Sequence, residues 1–393
     1  MKIICVLGRH QYGRTELGEG TEFSAIIPAL QRLGHEVIHF ESWDRGRYPS
    51  YSDLNSMLLE CVRRERPSVL IAVQRDYEIW TETLDCIREL GTTVTVAWTT
   101  DDSWKYQEVS RFIGHHYDAI TTTYDYTIPW YRRDGIPNVF LTQWAANSHW
   151  FQPPLGAKDC RYEVSFVGAS YGKRRQIVEA LRSQGVSVRC FGNGWDHGPV
   201  TAERIPHIMR ESVVSLNFSD GFKGGRPQLK ARTFEVPGAG GMLITEDAPG
   251  LDRFYKPGAE ILVSRSRAQM VGQVQMILRN HALRDQIAIA GHLRTVEDHS
   301  YERRLEKVLE FALQKKEKRK RHAVAFERAL RRHRLGPPLR WVGQLVTLGC
   351  QKVWGVERGR RAARRIVFEL SWRILGEKTF SAVGLPGRLF PEI

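Results

Sequence analysis

The chain has 393 residues, a formal net charge of +14 at pH 7 and a hydrophobic content of 42%. That length exceeds what one hydrophobic core usually serves, so two domains with an appendage are expected. The six cysteines are scattered without paired spacing, which argues against a disulfide framework or a cysteine zinc site and favours a reducing cytoplasm. No apolar run reaches the length of a helix that spans a membrane.

Apolar runs alternate with helix-like segments along the first 150 residues. Short runs rich in Val and Ile predict strands at 2–7, 36–41, 68–73, 93–98, 118–122 and 138–141. The first of these runs follows Met1 and is too short for a signal peptide. Segments with helical spacing lie between them, near 21–33, 52–65, 79–90, 104–113 and 127–134. This order predicts a parallel sheet with helices on both faces.

A linker-like stretch, Pro153-Pro154-Leu155-Gly156, interrupts the pattern, and the alternation then restarts. Further strands are predicted near 162–167, 186–190, 213–217, 241–245 and 260–263. The sequence therefore predicts an α/β fold of two doubly wound, Rossmann-like domains facing a cleft, with boundaries at 1–153 and 158–311. Ligands of such sheets bind outside the carboxyl ends of the strands, so the cleft is the expected site.

The charge marks a third segment, 312–393. From Ala312 onward, 20 Lys and Arg against 6 Glu carry the whole net charge of +14. Residues 299–334 read as one long basic helix stopped by Gly336-Pro337-Pro338, and aromatic and aliphatic runs then alternate with arginine-rich stretches. This mainly helical, amphipathic extension suits an anionic membrane surface, contacted through residues 315–375. A second interpretation of the extension is nucleic-acid binding, although the sequence has no recognised nucleic-acid-binding module. A third is a helical layer that packs against the enzyme body or a partner.

The most informative motif runs from Lys230 to Thr245. Lys230, Arg232 and Glu235 are spaced to share one helical face, and a turn with Gly238, Gly240 and Gly241 follows. Cations with free backbone donors suit a diphosphate, and a carboxylate suits sugar hydroxyls. The alternative is a salt-bridged helix with a glycine C-cap.

This segment resembles the donor-site signature of the CgeB-like glycosyltransferases, which have two Rossmann-like domains of the GT-B type. Five other stretches resemble the same family in the same order, and together they cover roughly residues 1–310: Trp98–Asp102, Val164–Arg174, Phe191–Trp195, Pro257–Val263 and Ala290–Arg303. The resemblance implies a nucleotide-diphosphate sugar as donor, held by the second domain, and an acceptor held by the first.

Individual donor residues follow from the resemblance. It places Glu235 where related enzymes bind the ribose hydroxyls, and it places Pro227 where many relatives carry a further glutamate, which leaves the donor sugar open. The expected donor-binding residues are Gly168, Lys173, Arg174, Gly194, Lys230, Arg232, Glu235, Gly240 and Gly241. For the loop of Gly168, Lys173 and Arg174, the alternative is an ordinary strand–loop–helix with exposed basic residues. The Gly192-Asn193-Gly194 turn with Trp195 would seat the nucleotide base, and its alternative is an ordinary turn of a common type.

Glycosyl transfer by inversion needs a base for the acceptor hydroxyl. The candidates are Asp101, Asp102, Glu19 and His10, all expected at the carboxyl ends of strands in the first domain. Asp101 and Asp102 are alternatively a helix cap before Trp104. The glycine-rich stretch that contains His10 and Glu19 lacks the dinucleotide spacing.

The sequence thus predicts a glycosyltransferase without a metal or cofactor. Its acceptor would be an envelope component, a polysaccharide, a lipid-linked molecule or a protein. The enzyme would be located in the cytoplasm, either free or peripherally on the inner face of the membrane. Nucleic acid is not expected as a partner. The alternatives are a nucleotide-sugar epimerase of the same fold and a non-enzymatic basic binding module with a decayed donor site.

Overall fold

The computed structural model describes residues 1–44, 46–221, 226–315, 326–334 and 337–390. They form two compact units: Met1–Thr142 with Val308–Ile393, and Gln143–Lys307. This division differs from the boundaries expected from the sequence, because residues 143–156 join the second unit. The buried Arg284 donates to the Leu155 carbonyl, and the Ala146 amide donates to the His299 carbonyl at 2.8 Å.

The first unit is built on a six-stranded parallel sheet in the order β2-β1-β3-β4-β5-β6. Its strands are β1 (Lys2–Val6), β2 (Glu36–Phe40), β3 (Val69–Ala72), β4 (Val94–Ala97), β5 (Ala119–Thr122) and β6 (Val139–Leu141). Helices α1 (Thr21–Arg32), α2 (Tyr51–Glu65), α3 (Thr81–Glu89), α4 (Asp102–Lys105), α5 (Arg111–Ile113) and α6 (Ile128–Arg133) lie between them. The central strands are buried along their whole length, as expected of a parallel sheet covered on both faces.

The second unit repeats this architecture with five parallel strands in the order β11-β10-β9-β7-β8. They are β7 (Tyr162–Val167), β8 (Val188–Phe191), β9 (Ser212–Asn217), β10 (Leu243–Glu246) and β11 (Leu262–Ser264). The helices are α7 (Arg174–Ser183), α8 (Arg204–Arg210), α9 (Arg232–Gly238), α10 (Arg267–Arg279) and α11 (His281–Asp298). In each sheet the first strand has its second and third strands on opposite sides. The prediction of two doubly wound sheets is confirmed.

The C-terminal region is helical, as predicted. Within the span of the expected helix 299–334, the structure describes two helices, α12 (Tyr301–Gln314) and α13 (Phe326–His333). Helices α14 (Pro337–Trp354), α15 (Val356–Leu375) and α16 (Leu385–Leu389) follow. Residues 316–325 and the expected stop at Gly336 lie outside the described residues. Helices α14 and α15 approach closely at Gly359, where an added Cβ would lie 2.4 Å from the Cα of Gln351.

Helices α13 to α16, here called the C-terminal layer, pack on the first unit. The ring of His333 lies 4.7 Å from that of Trp80, Phe368 lies 5.7 Å from Tyr77, and Phe380 stacks on Phe112. Two ion pairs join the same surfaces, Arg365–Glu108 at 2.8 Å and His116–Glu377 at 3.2 Å. The extension is therefore a helical layer that packs on residues 1–142 within the first unit. None of the described helices has both the length and the apolar content to cross a membrane.

Candidate functional site

The second sheet has its topological switch point between β7 and β9. The chain leaves β7 toward β8 on one side and leaves β9 toward β10 on the other, so the loops after β7 and β9 diverge. In open α/β sheets the crevice at such a point, outside the carboxyl ends of the strands, is where ligands bind. The predicted donor residues Gly168, Lys173 and Arg174 all follow β7 directly.

The structure brings Gly168 and the Gly192-Asn193-Gly194 turn together. An added Cβ at Gly192, whose φ is +130°, would lie 2.4 Å from the Gly168 carbonyl oxygen. The amide of Ser170 donates to the Asn193 carbonyl at 2.8 Å, and the indole of Trp195 donates to the Gly168 carbonyl at 2.9 Å. Trp195 is itself buried, so it braces these two loops rather than offering a free ring to a nucleobase.

The two cations after β7 have different environments. Arg174 is buried, donates to the Ala169 carbonyl at 2.9 Å and to the Tyr171 hydroxyl at 2.6 Å, and lies over the Tyr171 ring. Burial lowers the pKa of its guanidinium, and within the described residues its Nε has no hydrogen-bond partner. Lys173, in contrast, is exposed. Of these two predicted cations, Lys173 is therefore the accessible one, and Arg174 holds the loop in shape.

Helix α9 presents the predicted carboxylate. Glu235 lies in its first turn with only 5% of its surface exposed, and no described residue donates a hydrogen bond to its side chain. Burial raises the pKa of this carboxyl, an effect that the nearby Arg232 opposes. Arg232 begins the helix, and its Nε donates to the carbonyl of Val167 at the end of β7. A buried carboxylate and a cation thus lie beside the switch point.

Two parts of the predicted motif differ from expectation. Lys230 precedes α9, so it is in the turn before the helix rather than on a shared helical face. Gly240 and Gly241 are buried, and an added Cβ would lie 2.4 Å from the Gln152 carbonyl oxygen or 2.5 Å from that of Met209. These glycines therefore allow close packing of the second unit's own backbone, and not the close approach of a ligand.

The first unit places its four predicted base candidates differently from one another. Asp102 is fully buried and accepts hydrogen bonds from Thr99, Ser110 and Tyr131 at 2.6 to 2.8 Å. Burial raises the pKa of its carboxyl. Because its oxygens are saturated by neighbouring hydroxyls, Asp102 orders the loop after β4 and does not reach a substrate. Asp101 is exposed at the start of α4 and makes no side-chain cap bond, so the expected helix cap is not formed.

His10 and Glu19 pair in an isolated antiparallel bridge in the loop after β1. Glu19 is exposed and forms an ion pair of 3.3 Å with Arg9. The bridge closes the glycine-rich loop on itself. Both residues therefore have a role in holding this loop.

Sequence reasoning missed Glu22, in the first turn of α1. Its carboxyl is partly buried, and burial raises its pKa; the charge of Asp101 acts in the same direction, while Arg75 and Lys105 oppose it. These four residues come from the segments that follow β1, β3 and β4, so charges separated by up to 83 positions meet at one edge of the sheet. A carboxylate with a raised pKa is suited to accept a proton near neutral pH.

A family model described as glycosyl transferase-like matches residues 173–310, which contain α7 to α11 and β8 to β11. Among solved structures, a glycosyltransferase from Rickettsia africae is 12% identical over 81% of this chain and 99% of that chain, with a TM-score of 0.56. Sucrose-phosphate synthase from Thermosynechococcus elongatus is 12% identical over 80% and 99%, also with a TM-score of 0.56.

The chain is a glycosyltransferase of the GT-B fold. HepE from Anabaena, solved in complex with UDP-glucose, is 10% identical over 79% of this chain and 98% of that chain, with a TM-score of 0.55. At these identities the structural likeness shows the fold alone. No curated protein matches the sequence.

The second unit of this glycosyltransferase has a cavity of about 870 Å³ at the carboxyl ends of β9, β10 and β11. Lys173, Pro227 and Glu246 line it. The Ser219 amide donates to Glu246 at 2.9 Å, and burial raises the pKa of the Glu246 carboxyl. Glu246 was not predicted; its signal in the sequence is its position directly at the end of β10.

The first unit of the glycosyltransferase has a cavity of about 770 Å³, here called the loop cavity, between the loops after β1 and β3 and helix α15. The six arginines in its lining outnumber the four carboxylates: Arg14, Arg75, Arg360, Arg361, Arg364 and Arg365 against Glu16, Asp44, Asp76 and Glu357. Arg75 stacks between Tyr12 and Trp43, at 5.2 and 5.1 Å from the ring centres. The described residues contain no group of three or more His, Cys, Asp or Glu arranged to hold a metal ion.

Proposed function

We propose that the enzyme takes a sugar from a nucleotide-diphosphate donor bound by the second unit and transfers it to an acceptor bound by the first. The observation that carries this proposal is Glu235: a carboxylate 5% exposed, without a hydrogen-bond donor among the described residues, beside the switch point of the sheet. Vicinal ribose hydroxyls would satisfy it. The proposal includes membership of the CgeB-like branch, and the UDP-glucose bound by HepE makes uridine the first base to test.

The diphosphate would be bound by the accessible cations near the switch point, Lys173, Lys230 and Arg232, together with backbone amides of the loop after β7. Charge on the leaving diphosphate develops as the sugar–oxygen bond breaks, and fixed cations stabilise it. This set of cations supports a transfer without a metal. Arg174 would contribute by holding the loop.

The donor sugar would lie in the second-unit cavity. Pro227 lines this cavity at the position where many relatives carry a glutamate, and Glu246 lines it too. We propose that Glu246 supplies the contact to the sugar hydroxyls that Pro227 cannot make. A partly buried carboxylate already oriented by the Ser219 amide is suited to this role.

On the acceptor side we propose Glu22, with Asp101 beside it, as the general base. Glu22 would accept the proton of the acceptor hydroxyl while the hydroxyl oxygen attacks the anomeric carbon and the diphosphate leaves. Arg75 connects this pair to the loop cavity, because it lines the cavity and its charge acts on Glu22. The excess of arginine favours an acceptor that carries phosphate or carboxylate groups, such as an envelope polysaccharide, a lipid-linked glycan or an acidic protein site. Such acceptors suit a cytoplasmic enzyme located at the inner face of a membrane.

Thermal stabilisation by nucleoside diphosphates and their sugars tests the donor site. A ligand at 100 times its Kd stabilises the folded state by about 2.7 kcal/mol. Hydrogen bonds to a charged group contribute about 1.5–3 kcal/mol, so Glu235→Gln is expected to raise the donor Kd by about 10- to 150-fold. Glu179→Gln, which changes an exposed carboxylate of α7, is the matched control. Stabilisation by none of the nucleotides, or equal binding by Glu235→Gln, would contradict the proposal.

A further inference from the structure

The C-terminal layer encloses a cavity of about 810 Å³, here called the C-terminal cavity, whose described lining is cationic. Four arginines line it, Arg334, Arg360, Arg364 and Arg388, and no carboxylate does among the described residues. The loop cavity, which shares Arg360 and Arg364 with it, has four carboxylates beside its six arginines. Guanidinium groups gathered without a counter-charge favour a bound anion, and their planar donors match phosphate oxygens.

Three arginines of this cavity, Arg334, Arg360 and Arg388, have little to neutralise them among the described residues of the first unit. Arg388 donates to a neutral carbonyl, that of His333, at 3.3 Å, and burial lowers the pKa of its guanidinium. Arg364 lies 5.9 Å from the ring of Phe390. Within the described residues, no ion pair joins Arg334, Arg360 or Arg388 to a carboxylate. An anion entering the cavity would therefore meet the positive charge of these three arginines.

An exposed apolar ridge runs beside the cavity on α14. Trp341, Leu345 and Leu348 are 65%, 64% and 55% exposed, and their spacing of four and three residues places them on one face of the helix. Leu348 also lines the cavity, so the ridge and the cationic lining are continuous. A helix with an apolar face beside arginines is suited to the boundary between lipid head groups and acyl chains.

We propose that the C-terminal cavity binds the phosphate head group of an anionic phospholipid while the ridge on α14 inserts into the same bilayer. The inference rests on the membrane location proposed above and not on the sugar-transfer chemistry. It commits to a lipid surface because a free phosphate or a nucleic acid would leave the apolar ridge in water. The lipid would be recognised by its charge and by its acyl environment together.

Sedimentation of the full chain with vesicles tests this inference. Vesicles containing phosphatidylglycerol are compared with vesicles of phosphatidylcholine alone, and each arginine near the surface contributes about fivefold to the partition coefficient. We expect strong preference for the anionic vesicles, a loss of about fivefold in Arg334→Gln and about 25-fold in Arg334→Gln with Arg388→Gln. Arg334 is exposed, so the single variant keeps the test valid if the double variant folds poorly. Trp341→Ser with Leu345→Ser should weaken binding to the same vesicles.

Arg358→Gln is the matched control, since Arg358 is exposed on α15 and lines neither cavity. An equal loss in Arg358→Gln would show diffuse attraction and overturn the head-group site. Equal binding to both vesicle types would also overturn it. So would binding of single-stranded DNA, if Arg334→Gln abolished it and left vesicle binding intact. A dimer that Leu345→Ser breaks, in a chain that does not bind vesicles, would do the same. Donor-induced thermal stabilisation, measured on the same variants, should be unchanged, so failure of the lipid site and failure of the donor site are told apart.

Discussion

The ion pair between His116 and Glu377 joins the C-terminal layer to the first unit, and its contribution to stability depends on pH. The imidazole nitrogens lie 2.8 Å from Asp85 and 3.2 Å from Glu377. Burial opposes the charged form, but the two carboxylates outweigh it and raise the pKa of His116 to about 9. Relative to an ordinary pKa of about 6.5, this favours the charged form by about 3.4 kcal/mol. Because Asp85 shares the interaction and the Glu377 side chain is 54% exposed, we expect Glu377→Gln to cost about 1 kcal/mol.

The sign of the pH dependence follows from the raised pKa. The stabilisation is fully present below about pH 6.5, where the unfolded histidine is protonated too, and it disappears as the pH rises through about 9. Glu377→Gln should therefore lower the Tm of the first unit by about 2–4 °C at pH 6 and leave it unchanged at pH 10. Differential scanning calorimetry at both pH values measures this, with Glu60→Gln on the exposed side of α2 as control. A loss at pH 10 equal to that at pH 6 would refute the ion-pair explanation.

Three further changes test other parts of the molecule. Glu22→Gln should lower kcat by about 100- to 10,000-fold while the donor Kd stays within about twofold; an unchanged kcat would remove Glu22 as the base, and Glu19→Gln is its control. Burial raises the pKa of Glu235, and ribose hydroxyls donate to its ionised form. In calorimetric titration the donor Kd of the wild type should therefore rise toward low pH more than the donor Kd of Glu235→Gln does. A ratio of the two Kd values that stays constant with pH would contradict this. Asp102→Asn should destabilise the chain by about 1–3 kcal/mol in urea unfolding, since three hydroxyls lose a charged acceptor, whereas undiminished stability would mean that this network is dispensable.

The fold was predictable from the sequence because buried parallel strands correspond to short continuous runs of apolar residues. Val69–Ala72 and Val94–Ala97, for example, are buried on both faces and stand out from the polar segments around them. The change of charge at Ala312 lies close to Val308, where the chain returns to the first unit. Charge could not reveal that His333 packs on Trp80, because that contact joins residues more than 250 positions apart.

The candidate site was predictable only where local sequence decides the geometry. Glu235 and Arg232 lie beside the switch point because strand order and one helix start suffice to position them, although their role in donor binding stays a prediction. Gly240 packs against the backbone of Gln152, and a neighbour so far away in the sequence cannot be inferred from the motif. Glu22 was missed for the same reason, since its environment is made by residues of two other loops. Asp102 looked available because its partners Ser110 and Tyr131 could not be inferred from the pair of aspartates.

The division of the chain into units has a consequence for how it is synthesised. Residues 1–142 leave the ribosome before the second unit, but α15 and the rest of their cover follow only after all of that unit, which ends at Lys307. Until the C-terminal layer is synthesised, Tyr77 packs on Tyr51 but lacks its contact with Phe368, and Trp80 lacks its contact with His333. Contacts of such long sequence separation form slowly. The second unit, which is continuous in sequence, can fold while the first still exposes part of its apolar surface, so that surface is where the nascent enzyme needs protection from aggregation.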